Sequence, residues 1–179
     1  YFLPRLLELL AEGAELHHST ALYLERLGNC DWSAFSSDEH AAIDAFALAY
    51  WSDFLANHPW HHQSGYSYVN AFDTLLMFDL GGVSVGPLLA VWLSTESAPA
   101  TLHYVVSGYW NFWETCEIKM SFAKDRPAFR ATMKAWLMDA ECREIFSTRL
   151  MAFDMSQLHQ ADHIDCGAQL RPQDLIDGV

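Results

Sequence analysis

Lysine and arginine are scarce in this 179-residue chain, which has ten of them against 23 aspartates and glutamates. None lies between Arg26 and Lys119, a stretch that carries acidic residues throughout. Nucleic-acid binding needs a net basic footprint, because phosphate groups are repelled by an acidic surface. The composition therefore argues against nucleic-acid binding and favours a surface that attracts basic partners.

Motifs of familiar enzyme classes occur only as isolated matches. Residues 82–86 read G-x-S-x-G, but the apolar run before Ser84 has helical spacing, whereas a nucleophile elbow follows a strand. One Glu-x-x-His is present, from Glu15 to His18, and a di-iron helical bundle needs two. Residues 81–86 read G-G-x-x-x-G and do not end in the Lys-Ser/Thr of a phosphate loop. We therefore expect no cofactor, and the balance favours a non-enzymatic protein.

Cysteine is also sparse and scattered, with no C-x-x-C pair. The four cysteines are Cys30, Cys116, Cys142 and Cys166. This pattern lacks the density of a disulfide scaffold and predicts reduced thiols in a cytoplasmic protein.

The most apolar stretch, Leu75 to Leu93, is interrupted by Asp79, Gly81, Gly82 and Pro87 and has no flanking basic residues. It predicts a buried helix pair rather than a membrane span.

Three tryptophans, Trp51, Trp92 and Trp136, each lie near the end of an apolar run with helical spacing, 41 and 44 residues apart. A period of about 40 to 47 residues is typical of stacked helix pairs of the HEAT or armadillo kind. The alternative is an irregular helical bundle that uses tryptophan in its core. In either case the spacing predicts buried tryptophans between consecutive helix pairs.

Apolar residues recur at helical spacing along most of the chain, which predicts an all-α fold of about eight helices. Ser36 and Glu39 form a capping box before the clearest helix, over 37–57. One or two helices are predicted over 4–27, with Gly13 as a possible break and Gly28-Asn29 as a C-cap. Further helices are predicted over 66–80, 84–94, 98–116, 127–138, 140–153 and about 155–165.

The length fits one domain over 1–179. Residues 1–30 are predicted to form an N-terminal helical cap, residues 36–153 three helix pairs, and residues 154–179 a C-terminal helix and tail. Each pair would bury its apolar face by stacking on its neighbour.

Three segments, YFLPRLLELL at the start, WSDFLANHP from Trp51 and LGGVSVGPLLAVWL from Leu80, resemble segments of an uncharacterised family of bacterial all-helical proteins. That family is similar to HEAT-like repeats in layout. The resemblance implies a fold and brings no activity, cofactor or site with it.

Five histidines are weak candidates for a metal site. His58, His61 and His62 lie within five residues, and His159 and His163 are spaced i, i+4 beside Asp162 and Cys166. Zinc accepts such ligands. However, HQADH has no glutamate after its first histidine, as a zincin would, and HPWHH is not a known ligand spacing. We expect an exposed loop and a solvated helix face instead.

An aromatic run, Tyr109, Trp110, Phe112 and Trp113, follows the apolar stripe of the helix predicted over 98–116. Such a stripe is more often core than a ligand pocket. Phe112 departs from the stripe, so we expect it to be the exposed member.

The hypothesis that best fits these patterns is a non-enzymatic bacterial protein-interaction module. Its acidic surface, contributed by residues 31–96, would bind a basic protein partner, and an immunity-type inhibitor of a basic toxin is a specific version. The candidate partner-binding residues are Asp44, Asp53, Trp60, Asp73, Asp79 and Glu96. Trp60 would serve as an aromatic anchor.

Two alternatives stay open. One is an enzyme, or a protein that binds a small molecule or a metal, with a site of histidines and carboxylates between helices. The other is a homo-oligomer in which the acidic block of one copy contacts residues 119–149 of another, a segment with a net charge of about +3.

Overall fold

The computed structural model describes residues 2–59 and 70–152, and within them the chain is all helical. This confirms the predicted fold class. The helices are α1 (Leu3–Ala11), α2 (Glu25–Gly28), α3 (Ser37–Ala56), α4 (Ala71–Leu80), α5 (Val85–Ser94), α6 (Ala98–Gly108), α7 (Pro127–Met138) and α8 (Ala140–Met151). Short 3₁₀ turns lie at Thr20–Leu22, Trp32–Ala34 and Ser121–Ala123.

The N-terminal region is less helical than its apolar pattern predicts. Helix α1 ends at Ala11, and Gly13 follows in the left-handed region with φ of +73°. A residue with a side chain adopts that conformation at a cost, so Gly13 is the predicted break. Beyond it, a 3₁₀ turn and the short α2 replace a continuous second helix. Of the one or two helices predicted over 4–27, α-helical structure is thus limited to Leu3–Ala11 and Glu25–Gly28.

Helix α3 begins as predicted, because its capping box is formed. The Ser36 N–H donates to Glu39 Oε2 at 2.7 Å, and the Glu39 N–H donates to Ser36 Oγ at 3.3 Å. These bonds satisfy backbone donors that the first turn leaves free. The core side of the helix recurs every four residues. It buries Ile43, Ala47, Trp51 and Leu55, whereas Ala42 and Ala49 are exposed.

The helices stack in two layers. In one layer α3 packs on α5 and α5 on α7, and in the other α4 packs on α6 and α6 on α8. Contacts of α4 with α5 and of α7 with α8 join the layers. Helix α3 also packs on α6. The three tryptophans with the 41- and 44-residue spacing belong to the three helices of the first layer.

Trp51 and Trp92 are fully buried, and each indole N–H is satisfied by a backbone carbonyl of another helix. Trp51 donates to the Leu88 carbonyl at 2.8 Å, and Trp92 donates to the Ala100 carbonyl at 2.9 Å. The ring of Trp92 lies 5.2 Å from that of Trp51 and 5.1 Å from that of the half-buried Trp136. The tryptophans therefore form one continuous aromatic column through the core, as large buried aromatics often do.

The segment that continues α6 has a different helical pitch. Residues Tyr109–Trp113 form a π-helical segment, in which the Asn111 side chain donates to the Ser107 carbonyl at 2.9 Å. A π-segment inserts one extra residue and rotates the faces that follow. As a result Phe112 is buried and Trp110 is 41% exposed. The expectation that Phe112 would be the exposed member was wrong for this reason.

Two glycines let α2 pack closely against the end of α4. A Cβ at Gly28 would lie 1.8 Å from the Leu80 carbonyl oxygen, and one at Gly81 would lie 2.9 Å from Cβ of Leu24. Helix α2 ends near Gly28-Asn29 as predicted, but Asn29 has ordinary helical angles and no left-handed cap forms. Gly28 is thus needed for close backbone approach rather than for its conformation.

The apolar stretch from Leu75 to Leu93 forms the end of α4, a turn and most of α5, which confirms the predicted helix pair. In the part of the chain that the structure describes, no helix is long and apolar enough to cross a membrane. Cys30, Cys116 and Cys142 are free thiols, and of these three only Cys142 is buried.

Candidate interaction surface

Four of the seven basic residues of segment 119–149 form ion pairs with acidic residues of the same chain. Lys119 pairs with Glu114, and Lys134 pairs with Glu117. Arg130 lies 3.9 Å from the same Glu117 carboxylate. Exposed pairs of this kind stabilise a fold by about 1 kcal/mol or less. Their effect on charge is larger, because they reduce the cationic surface available for the predicted contact between copies.

Asp79, one of the candidate partner-binding residues, is engaged in such a pair. Arg126 Nε donates to Asp79 Oδ2 at 2.7 Å, and Arg126 Nη2 donates to the Asp79 backbone carbonyl at 2.9 Å. The guanidinium thus binds both the side chain and the last turn of α4, where the helix dipole favours a cation. The pair connects the end of α4 to the start of α7, which makes Asp79 a structural residue.

The acidic residues of α3 are exposed and have no salt bridge among the residues described. They are Asp38, Glu39, Asp44 and Asp53, and no lysine or arginine lies on the helix. Asp44 and Asp53 are nine residues apart, which at 3.6 residues per turn places them on opposite sides of α3. The two predicted candidates therefore cannot contact one flat partner surface together.

Asp53 and Glu96 lie at the same end of α3. Ser97, the residue after Glu96, donates from Oγ to the Leu55 carbonyl at 3.4 Å. This contact brings the link between α5 and α6 to the last turn of α3. Glu96 is exposed, and the last turn of α3 has no basic residue. Two carboxylates and the negative end of a helix dipole thus meet at this end of the molecule.

A feature missed at the level of sequence is the smooth outer side of α3. Asp38 and Asp53 are fifteen residues apart and lie within about 60° of each other around the helix. The exposed residues between them are small: Ala41, Ala45, Ala49 and Ser52. A small apolar residue fits a core as well as a surface, so the sequence alone does not reveal this side of the helix.

Asp73 is half-buried in the first turn of α4. Loss of solvent contact raises the pKa of Asp73 from its ordinary value of 3.8 to about 6. A carboxylate in this position is less accessible to a partner than Asp53 or Glu96, so the structure favours the latter two.

The raised pKa of Asp73 predicts a pH-dependent penalty. A carboxyl group that is harder to ionise in the folded state destabilises that state once it is ionised, so its contribution worsens between pH 4 and pH 6 and is complete above about pH 6. Asp73→Asn is expected to raise the free energy of unfolding at pH 7 by about 1–2 kcal/mol, with little gain near pH 4. Urea unfolding at both pH values measures this. Equal gains at the two values would contradict it, and Asp44→Asn serves as the exposed control.

The histidine candidates are mostly outside the described residues. His61, His62, His159 and His163 lie there, as does Trp60. His58 is described and is half-buried after the end of α3. Within residues 2–59 and 70–152, no three histidines, cysteines or carboxylates are grouped closely enough to bind a metal ion.

A row of buried polar residues on α6 also escaped the sequence analysis. His103 Nε2 lies 3.0 Å from the Asn57 carbonyl oxygen, and Ser107 Oγ accepts the Ala71 N–H at 3.1 Å. With Asn111, these residues are spaced four apart on one side of the helix, a pattern that is visible in the sequence. The row holds both ends of the connection between α3 and α4, which gives it a structural role.

No family model, no curated protein and no solved structure matches this chain. Its function is therefore inferred from its own residues and their arrangement.

Proposed function

We propose that this protein is a non-enzymatic interaction module that binds a basic protein partner through the acidic surface of α3 and the α5–α6 link. The observation that carries the proposal is the division of charge. Four of the seven cations of segment 119–149 are paired with acidic residues of the chain, while Asp38, Asp53 and Glu96 are exposed and make no described ion pair.

Long-range attraction supports this function. The net charge is −13 at neutral pH. The potential over α3 is unopposed by any cation of that helix. An acidic surface of this kind raises the rate of encounter with a basic partner, and the gain falls as salt screens the charges. We thus propose a salt-sensitive association.

The shape of α3 supports direct contact as well as steering. The small side chains between Asp38 and Asp53 allow a partner to approach the helix closely, with a carboxylate near each end. Peripheral charges of this sort contribute more to association rate and specificity than to affinity. A bacterial cytoplasmic inhibitor that neutralises a basic toxin is a specific version of the proposal.

Charge reversal tests the proposal. The double variant Asp53→Lys/Glu96→Lys is expected to weaken binding of the captured partner by about tenfold or more at 50 mM salt, mainly through a lower association rate. The partner is first captured from the native host with the wild-type chain and then titrated in purified form by surface plasmon resonance.

The matched control is a double variant of equal charge change on α8, Glu141→Lys/Glu144→Lys, where both glutamates are exposed. It is expected to change the association rate by about threefold or less, because its charges lie away from α3. Equal effects of the two double variants would show that net charge matters and the α3 surface does not. No effect of either would overturn the proposal.

A further inference from the structure

Trp32 lies in a notch over the turn between α4 and α5. A Cβ at Gly82 would be 2.6 Å from Cε2 and Nε1 of the Trp32 indole, and Gly82 has φ of +88°. The turn thus has a glycine where the ring rests. The His40 ring stacks on the indole with centroids 5.3 Å apart, and Phe35 borders it at 5.7 Å. The flat indole ring of Trp32 therefore lies between Gly82 and the His40 ring.

The ring that occupies the notch is not a complete chemical fit. Trp32 Nε1 is buried and has no hydrogen-bond acceptor among the described residues. A buried N–H without an acceptor loses its bonds to water and gains nothing in return. Packing of the flat ring on Gly82 therefore stabilises the indole in this notch. The buried N–H group without an acceptor destabilises the same arrangement. By contrast, the indoles of Trp51 and Trp92 both have carbonyl acceptors.

The segment that carries Trp32, residues 29–36, which we call the strap, packs on the core only through Trp32 and Phe35, and its other residues are exposed. Its backbone bonds are local: the Ala34 N–H donates to the Asp31 carbonyl, and the Phe35 N–H donates to the Trp32 carbonyl. His40 Nε2, on the following helix, lies 3.0 Å from the Trp32 carbonyl oxygen. Segments with few buried contacts and only local hydrogen bonds open at low cost relative to global unfolding.

We propose that the notch over Gly82 is a binding site for a flat aromatic group, which Trp32 fills in the closed chain and vacates when the strap opens. The site selects for a planar apolar ring and makes no use of a ring N–H donor. It uses none of the acidic residues of α3, since it depends on Gly82, His40 and Trp32.

Removing the Trp32 side chain tests the site directly. In Trp32→Ala, indole and its isostere benzofuran, which has an oxygen in place of the N–H, are expected to bind and to shift the amide NMR signals of Gly82 and His40. Benzofuran is expected to bind at least as tightly as indole, because the notch offers no acceptor to an N–H. Trp32→Phe retains a ring in the notch and is expected to block both ligands.

Trp110→Ala is the matched control, because it removes a 41% exposed tryptophan that does not rest on a glycine. If neither ligand binds Trp32→Ala while its spectrum shows a folded chain, the notch is not a site. Indole binding about tenfold tighter than benzofuran would overturn the claim that the site makes no use of the N–H.

Opening of the strap is tested in the wild-type chain by native-state hydrogen exchange. The amides of Ala34 and Phe35 are expected to exchange at least about tenfold faster than those of Ile43 and Ala47, with little dependence on low denaturant concentration. If all four amides exchange at one rate with the same denaturant dependence, Trp32 leaves the notch only on global unfolding. That result would contradict the proposed local opening of the strap.

Discussion

Trp92→Ala is expected to lower the free energy of unfolding by about 4 kcal/mol, the largest effect of any single substitution considered for this chain. Trp92 is fully buried and its ring contacts those of Trp51 and Trp136. Phe72, Tyr104 and Phe146 surround it as well. Truncation leaves a cavity bounded by rings that belong to five helices, which cannot all move inward together.

The hydrogen bond of Trp92 adds to this cost. Its indole N–H donates to the Ala100 carbonyl and joins α5 to the first turn of α6. Trp92→Phe retains an aromatic ring and loses the bond, so it is expected to cost about 1–3 kcal/mol. This milder variant keeps the prediction testable if Trp92→Ala does not fold.

Urea unfolding followed by far-ultraviolet circular dichroism measures both variants, because tryptophan fluorescence would change with the substitution itself. Trp110→Ala is the control and is expected to cost about 1 kcal/mol or less, since that ring is 41% exposed. A loss below about 2 kcal/mol for Trp92→Ala would mean that the aromatic column is not the centre of the core.

Gly28→Ala is expected to lower the free energy of unfolding by about 3 kcal/mol. The added Cβ would lie 1.8 Å from the Leu80 carbonyl oxygen and 2.9 Å from the Leu80 carbonyl carbon. Both atoms are backbone, so no side chain can rotate away to relieve the contact. Helix α2 must move from α4, and the apolar contact that Leu24 and Leu27 make with the core is then disturbed.

Gly86→Ala is the matched control. Gly86 lies in the first turn of α5, and a Cβ there would meet Ser84 Oγ at 3.8 Å, an ordinary contact. Alanine is favoured over glycine in a helix, but Pro87 follows and disfavours helical angles for a residue with a Cβ, so this variant is expected to change the free energy of unfolding by about 1 kcal/mol or less. Thermal unfolding of the two variants gives the comparison. Similar effects at both positions would show that α2 does not depend on Gly28 for its packing on α4.

The helices that could be predicted from sequence are those with strong local signals. Ser36 and Glu39 place the start of α3, and Ser97 caps α6 by accepting the Ala100 N–H. Pro127 opens α7, and its end at Met138 and that of α5 at Ser94 agree closely with the expected bounds. Caps and apolar periodicity act over a few residues, so they can be read without knowledge of the rest of the chain.

Predictions of exposure were less successful where helical pattern alone was used. The π-helical segment reverses the expected environments of Trp110 and Phe112, because its extra residue rotates the chain within the last turns of α6. On α3, alanine fits both a core and a surface, so its pattern did not determine which side faces α5. The final environment depends on which neighbouring surface each helix meets.

The candidate interaction surface also depends partly on the sequence and partly on tertiary contacts. The absence of basic residues between Arg26 and Lys119 is a property of sequence, and it led to Asp53 and Glu96 as candidates. Ion pairs between residues far apart in sequence decide which acidic residues remain available to a partner. Asp79 binds Arg126, 47 residues later, and thereby leaves the set of candidates. Net charge is additive along a chain, whereas the partner of each charge depends on which elements the fold brings together.

By itself, the sequence determined the all-α class, the bounds of most helices, the acidic character of the chain and the regular spacing of three tryptophans, because each follows from local preference or composition. The tertiary structure decided that those tryptophans form one column, that Gly28 admits the Leu80 carbonyl, that Asp79 is bound and Asp53 exposed, and that Trp32 fills the notch over Gly82. These are contacts between distant residues, and they depend on the close fit of whole helices, which local pattern does not encode.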